Sequence, residues 1–261
     1  MISKLGIGSR TQAARWVAAG RVRVNGEVVL DAEFPVVQSR DRISVDGLEQ
    51  PPARTVVMLN KPRGLVTTVN DDRSRATVYA CFAGTDLPWL APVGRLDKAS
   101  EGLLLFSNDP AWASRVTNPA TGPDKTYHVQ IDRLPDNPLL ANLERGTVVD
   151  GERLGAKAAR LLRAGERHAW LEIVLDEGRN RQIRRLLEAL DVSVLRLVRV
   201  AIGTLALGRL AKGQWRPLNA AEIDSLLCRP RPDPGPGPAR ADEGRRKPRA
   251  APTYSRRKFP A

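Results

Sequence analysis

The chain has 261 residues, with 42 Lys and Arg against 29 Asp and Glu, a net charge of +13 and a pI near 10.6. The length predicts one large domain or two unequal ones with chain enough for a core, and the charge predicts a polyanionic partner, nucleic acid or an acidic membrane surface. No apolar run approaches the roughly 18 residues of a spanning helix and no signal-like apolar block opens the chain, which argues against the membrane.

In the first segment, residues 1–48, Ser9-Arg10-Thr11-Gln12 reads as a helix N-cap with its capping-box glutamine. A helix is expected through Ala13, Ala14, Trp16, Val17 and Ala18, stopped by Gly20. Val22 to Val29 alternates apolar with polar around Asn25-Gly26, the pattern of a short hairpin. Arg10, Arg15, Arg21 and Arg23 gather on this unit, as a solvated face or as contacts to a nucleic-acid backbone. Gln50 to Arg54, with paired prolines, is the expected linker.

A second domain is expected over residues 55–228. Buried strands fit Val56 to Asn60, Leu103 to Ser107, Tyr127 to Ile131, Ala169 to Leu175 and Val194 to Leu207. Helices fit Trp112 to Val116, Asn180 to Leu190 and Ala220 to Leu227, the last capped by the Asn219 and Glu222 pair. Strands grouped with short helices predict an α+β fold with a largely antiparallel mixed sheet. The tail, residues 229–261, has ten Lys and Arg against three Asp and Glu, a net of +7, and is rich in Pro and Gly. It reads as disordered, either an electrostatic tether for RNA or a solubilising segment.

Cys81 and Cys228 lie far apart without CxxC spacing, and His128 and His168 are the only histidines. A disulfide framework and a metal site are therefore not expected. No GxGxxG or P-loop spacing occurs, so no nucleotide cofactor is expected either. The expectation is a cofactor-free cytoplasmic protein facing nucleic acid.

The segment with most chemistry in it is Gly94-Arg95-Leu96-Asp97-Lys98-Ala99-Ser100-Glu101-Gly102, followed by Leu103 to Phe106. In an extended stretch Arg95 and Asp97 share a face, and Gly94 admits close approach. A desolvated carboxylate protonates unless a cation stands nearby. A source of cations is Glu177-Gly178-Arg179-Asn180-Arg181-Gln182-Ile183-Arg184-Arg185, four arginines within seven positions. On a helix Arg181, Arg184 and Arg185 would form one phosphate- or carboxylate-binding face, or an ordinary basic stripe.

These residues carry a family resemblance. Gly8-Ser9-Arg10, Gln12-Ala13-Ala14, Ala19 to Val28 and Asp41 to Gly47 resemble an S4 domain, a small RNA-binding module, whose usual first helix is represented only by Met1 to Leu5. Gly94 to Leu105, Lys125-Thr126-Tyr127 and Glu177 to Leu187 resemble, in order and spacing, the active-site motifs of S4-bearing ribosomal RNA pseudouridine synthases of the RsuA/RluB type. Leu59-Asn60-Lys61-Pro62-Arg63-Gly64, with Thr67-Thr68 after it, is similar to that group's opening strand and loop.

The resemblance implies an enzyme that detaches uracil from ribose and rejoins it through carbon without metal or cofactor. Asp97 would be the essential nucleophile or base, by covalent addition or by elimination. Tyr127 would stack on the base, unless it is an ordinary strand aromatic with its hydroxyl at the surface. Arg184, or Arg185 with the helix rotated, would pair with Asp97 and keep it ionised. Arg95 would fill the space left by the flipped uridine, unless it forms a salt bridge with Glu101 or Asp97. Arg181 and Arg185 would contact RNA, with Arg10, Arg15, Arg21 and Arg23 on the S4-like module.

The expected partner is ribosomal RNA, free or in an assembling subunit, bound by a monomer. The turn around Arg179 resembles the large-subunit type more than the small. A non-catalytic RNA-binding or ribosome-assembly factor would use the basic surfaces but has no need of Asp97 and Tyr127. DNA binding lacks an evident recognition helix.

Overall fold

The computed structural model describes residues 1–48, 52–69, 71 and 73–227. The tail expected to be disordered, Cys228 and the Gln50-Pro51 part of the linker lie outside the described residues. The N-terminal segment contains α1 (Arg10–Ala18), β1 (Val22–Val24), β2 (Glu27–Val28) and β3 (Ile43–Val45). The Ser9 hydroxyl accepts from the Gln12 N–H at 3.0 Å, and the Gln12 side-chain oxygen accepts from the Ser9 N–H at 2.9 Å. That closes the expected capping box.

At the other end of α1, Gly20 turns left-handed (φ +68°), and the Gly20 and Arg21 N–H groups donate back to Val17 and Trp16. The last carbonyls are thereby satisfied. Asn25 and Gly26 both take positive φ, as a two-residue turn between β1 and β2 demands. With β3 pairing on its other edge, β1 is central to a three-stranded sheet. Its small core holds Ile2, Ile7, Val17, Val22 and Val45.

Beyond it come β4 (Val56–Lys61), a 3-10 turn (Val78–Phe82), β5 (Ala91–Val93), β6 (Glu101–Ser107), α2 (Pro110–Thr117), β7 (Lys125–Ile131) and α3 (Asn137–Arg145). There follow β8 (Thr147–Val149), β9 (Glu152–Leu154), β10 (Ala158–Ala164), β11 (Ala169–Leu175), α4 (Gln182–Glu188), β12 (Val194–Ile202), β13 (Leu205–Ala206), β14 (Trp215–Pro217) and α5 (Ala220–Ser225). The main sheet runs β10-β11-β7-β12-β6-β4-β14, with β13 on β12 and β5 on β6. Its one parallel pairing, β12 with β6, joins two antiparallel halves. The fold is α+β with a mixed sheet flanked by helices, as the sequence predicts.

Every residue of β4 and β6 is buried, which is why Val56 to Leu59 and Leu103 to Phe106 read as unbroken apolar runs. One face of these strands packs with Trp112 and Val116 of α2 and with Leu226 just past α5. The other joins a larger core with Tyr127, Val129, Ile173 and the α4 residues Ile183, Leu186 and Leu187. By contrast β7 and β11 alternate buried with half-buried residues, so only one of their faces is covered.

Two expectations are corrected. Val194 to Leu207 is not one strand but the β12–β13 hairpin, turned where Gly203 takes φ +54°. The helix expected from Asn180 starts at Gln182, because Arg181 has a left-handed backbone that cannot lie inside it. The structure adds α3, the β8–β9 hairpin, β10 and β14. Among the described residues no helix is long and apolar enough to cross a membrane.

Candidate active site

Asp97 lies in the loop between β5 and β6, in a cleft of about 880 Å³ that Arg95, Tyr127, Arg181 and Arg184 also line. Leu96 is buried while Arg95 is exposed and Asp97 half-buried, so the alternation expected of this stretch holds. The loop's backbone is held by the chain that follows β4. The Thr67 hydroxyl donates to the Leu96 carbonyl at 2.7 Å, and the Gly64 N–H donates to the Lys98 carbonyl at 2.8 Å. The Lys61 ammonium, fully buried, donates to the Ser100 carbonyl at 2.8 Å and to the Pro62 carbonyl at 3.1 Å. Burial pushes Lys61 down to about 8, against the pull of Asp97, Glu101 and Cys81. Lys61 closes β4 just before Pro62, and nothing in that local sequence announces the burial of its ammonium.

The cation nearest Asp97 is Arg181, whose Nη1 lies 3.7 Å from the carboxylate. That corrects the expected pairing with Arg184 or Arg185. Arg181 precedes α4 at φ 49°, a conformation that costs a non-glycine residue about 1–2 kcal/mol. The three arginines therefore do not share a helix face. Arg184 donates to the Ala99 carbonyl and the Val194 carbonyl, both at 3.3 Å, and so ties the Asp97 loop to the start of β12. Burial, together with the nearby charges of Arg181 and Arg63, pulls Arg184 down, while Asp97 pulls it up. Arg185 turns away to the β8–β9 hairpin, where it meets Glu152 at 2.7 Å and Asp150 at 3.0 Å. Arg185, expected to contact RNA, is paired here with these two carboxylates.

Gln182, which is buried, fixes the turn before α4. Its amide donates to Glu177 at 2.8 Å and to the Gly155 carbonyl at 2.9 Å, while its oxygen accepts from the Arg179 N–H. Nothing but its position inside the arginine-rich motif announces that role in the sequence. Tyr127 is 8% exposed and faces Arg199 across the β7–β12 pairing. It is thus a cleft residue rather than a surface aromatic.

Glu101 is not a partner of Arg95: it is held by Arg196 and Lys212. On the N-terminal module Arg10 and Arg15 are exposed on α1, while Arg21 donates to the Asp46 carbonyl and Arg23 lies 3.4 Å from the Asp46 carboxylate. None of these four lines the cleft. Among the described residues no group of three His, Cys, Asp or Glu side chains could hold a metal ion.

The chain matches known proteins along most of its length. Residues 55–189 match the family model for RNA pseudouridylate synthase, and residues 1–43 match the S4 domain. The ribosomal large subunit pseudouridine synthase B of Bacillus subtilis (strain 168) is 34% identical over 230 residues, covering 87% of this chain and 93% of that protein. An uncharacterized RNA pseudouridine synthase of Aquifex aeolicus (strain VF5) is 34% identical over 228 residues, with 86% and 91% covered. A crystal structure of a pseudouridylate synthase superposes with a TM-score of 0.61 at 31% identity, covering 86% of this chain and 96% of that one. With a carboxylate, a guanidinium and a tyrosine meeting in one cleft behind an S4 module, the chain belongs to the S4-bearing RNA pseudouridine synthases of the RsuA/RluB type.

Proposed function

We propose that this enzyme isomerises one uridine of structured ribosomal RNA to pseudouridine, on the large-subunit RNA, with Asp97 as the attacking group or base. The observation that carries the reading is the meeting of Asp97, Arg181 and Tyr127 around a single cleft. The names of the Bacillus subtilis relative and of others supply the large-subunit assignment.

Extruding a uridine from its stack costs a few kcal/mol. Stacking on the Tyr127 ring returns about 1–3 kcal/mol, and Arg95 fills the vacated place in the RNA. Arg181 takes the charge-pairing role that the motif resemblance assigns to Arg184, and Arg184 holds the loop. Arg181 thus lies beside the carboxylate that attacks or abstracts. The S4 module supplies backbone contacts through Arg10 and Arg15, and Arg21 and Arg23 brace its turn against Asp46 while adding positive charge. We take the enzyme to act as a monomer in the cytoplasm.

The test is to map pseudouridines in ribosomal RNA from cells lacking this protein, then restore it as wild type or as Asp97→Asn. One large-subunit position should lose its modification and regain it only with the wild type. Restoration by Asp97→Asn would remove Asp97 from the reaction, and a site in the small subunit would correct the substrate.

A further inference from the structure

Arg199, in the middle of β12, is a charged residue at the cleft that the reading above leaves without a task. It is 6% exposed, lines the cleft, and stands directly opposite Tyr127 across the β7–β12 pairing. Its Nε donates to the Leu103 carbonyl at 2.7 Å, which fixes the guanidinium plane against β6. Its Nη2 is buried and, among the described residues, has no hydrogen-bond partner. The neighbouring strand is shaped around it. Gly102 pairs with Arg199 in the parallel junction, and a Cβ on Gly102 would come within 2.2 Å of the Arg199 carbonyl oxygen.

A buried N–H of a charged group is costly to leave unmade. At a substrate cleft, the simplest compensation is an acceptor that arrives with the substrate. Residues paired across strands have Cβ atoms about 5 Å apart, so a base stacked on Tyr127 lies within reach of the Arg199 guanidinium. The exposed arginines of the cleft, Arg95 and Arg181, already have their tasks in the RNA stack and beside Asp97. What reaches a buried donor beside the stacking ring is the base itself, and uracil offers two carbonyl oxygens.

We infer that Arg199 is a catalytic residue that donates, through Nη2, to a carbonyl oxygen of the extruded uracil and stabilises the negative charge on the ring as the glycosidic bond breaks. This rests on the reading of the cleft as a uridine-isomerising site. When C1′–N1 breaks, the bonding pair stays with uracil and spreads from N1 onto both carbonyl oxygens. The charge is discharged when C5 bonds to C1′, C5 loses its proton and N1 gains one. Arg199 lends a hydrogen bond throughout and transfers no proton. A fixed donor aimed at developing charge contributes far more in the transition state than in the ground state.

The experiment compares wild type with Arg199→Gln and Arg199→Lys in single-turnover assays, on a ribosomal RNA fragment carrying the mapped uridine. Removing such a donor should slow pseudouridine formation about 100-fold, with RNA affinity within about threefold and cooperative melting retained. If Arg199→Gln fails to fold, Arg199→Lys serves. Fragments with 2-thiouridine, 4-thiouridine or a phosphorothioate at the target then locate the acceptor, because sulfur accepts hydrogen bonds poorly. One thio-carbonyl should slow the wild type about tenfold and leave the variant unaffected, the coupling expected of a direct contact. Variants as fast as wild type, or thio effects equal in all proteins, overturn the inference. Coupling at the phosphorothioate alone also overturns it and assigns Arg199 to the backbone. A wild type that modifies no ribosomal RNA overturns the functional reading itself.

Discussion

Asp97 and Glu101 stand four residues apart on one loop and strand, yet their surroundings are opposite. Glu101 is 3% exposed and saturated, with Arg196 at 2.8 and 3.0 Å and Lys212 at 2.6 Å. Burial pushes its carboxyl up, but the hydrogen bonds from Arg196 and Lys212 outweigh that and hold it at about 2. Asp97 is 36% exposed at its side chain and, among the described residues, has one ion-pair partner, Arg181, at 3.7 Å. A carboxylate with both oxygens engaged by cations is a structural post. One held by its backbone but left open at its oxygens can still meet a substrate.

That contrast breaks first at Asp97. Asp97→Asn should reduce pseudouridine formation by about 10³-fold or more, with RNA affinity within about threefold and unfolding free energy within about 0.5 kcal/mol. Single-turnover rates, filter binding and denaturant melts read the three quantities. Arg181→Gln should come next, slowing the reaction about 10- to 100-fold by loosening the charge that faces Asp97. Arg181→Lys should recover only part of the rate, since an ammonium lacks the planar fork.

Glu101→Gln reverses the pattern. It should cost about 2 kcal/mol of stability while the folded enzyme keeps its rate within about threefold. The pH dependence sharpens this. The folded carboxyl sits at about 2, below its ordinary 4.5, so the unfolded chain takes up the proton first as pH falls. The stability Glu101 contributes is complete above pH 4.5 and is lost as pH falls towards 2. The stability gap between wild type and Glu101→Gln should therefore shrink across that window, and a constant gap would show that the post is not electrostatic. Smallest of all, Arg185→Gln should leave the rate unchanged within about twofold, because Arg185 serves the β8–β9 hairpin. A tenfold loss there would return Arg185 to the cleft.

Local chemistry was readable in advance where one or two residues dictate it. The Ser9 and Asn219 capping boxes, the Asn25-Gly26 turn and the buried runs of β4 and β6 lie where their sequence puts them. α3 carries equally local signals, with Asp136 as N-cap, Pro138 in its first turn and Gly146 as its stop. β10 does not: Ala158-Ala159-Arg160-Leu161-Leu162-Arg163-Ala164 favours helix and becomes an edge strand only because β11 offers it a partner. In the cleft, motif order located Asp97, Tyr127 and the arginine turn but could not choose among the arginines. That choice depends on the backbone of Arg181 and on where the Asp97 loop rests, both set by distant contacts. Lys61, Gln182 and Arg199 were obscure for the same reason, since each acts on backbone or charge far along the chain.

The parallel junction has a consequence for synthesis. Asp97 and the segment that cradles it precede β7, whereas Tyr127 lies in β7 and the arginines follow it, and the two antiparallel halves of the sheet pair where β12 lies beside β6. A chain still leaving the ribosome, with β12 unmade, carries Asp97 without the strand that pairs with β6 and stands beside Tyr127. The sheet that brings Asp97 and Tyr127 to one cleft is therefore completed only by a strand made late in the chain.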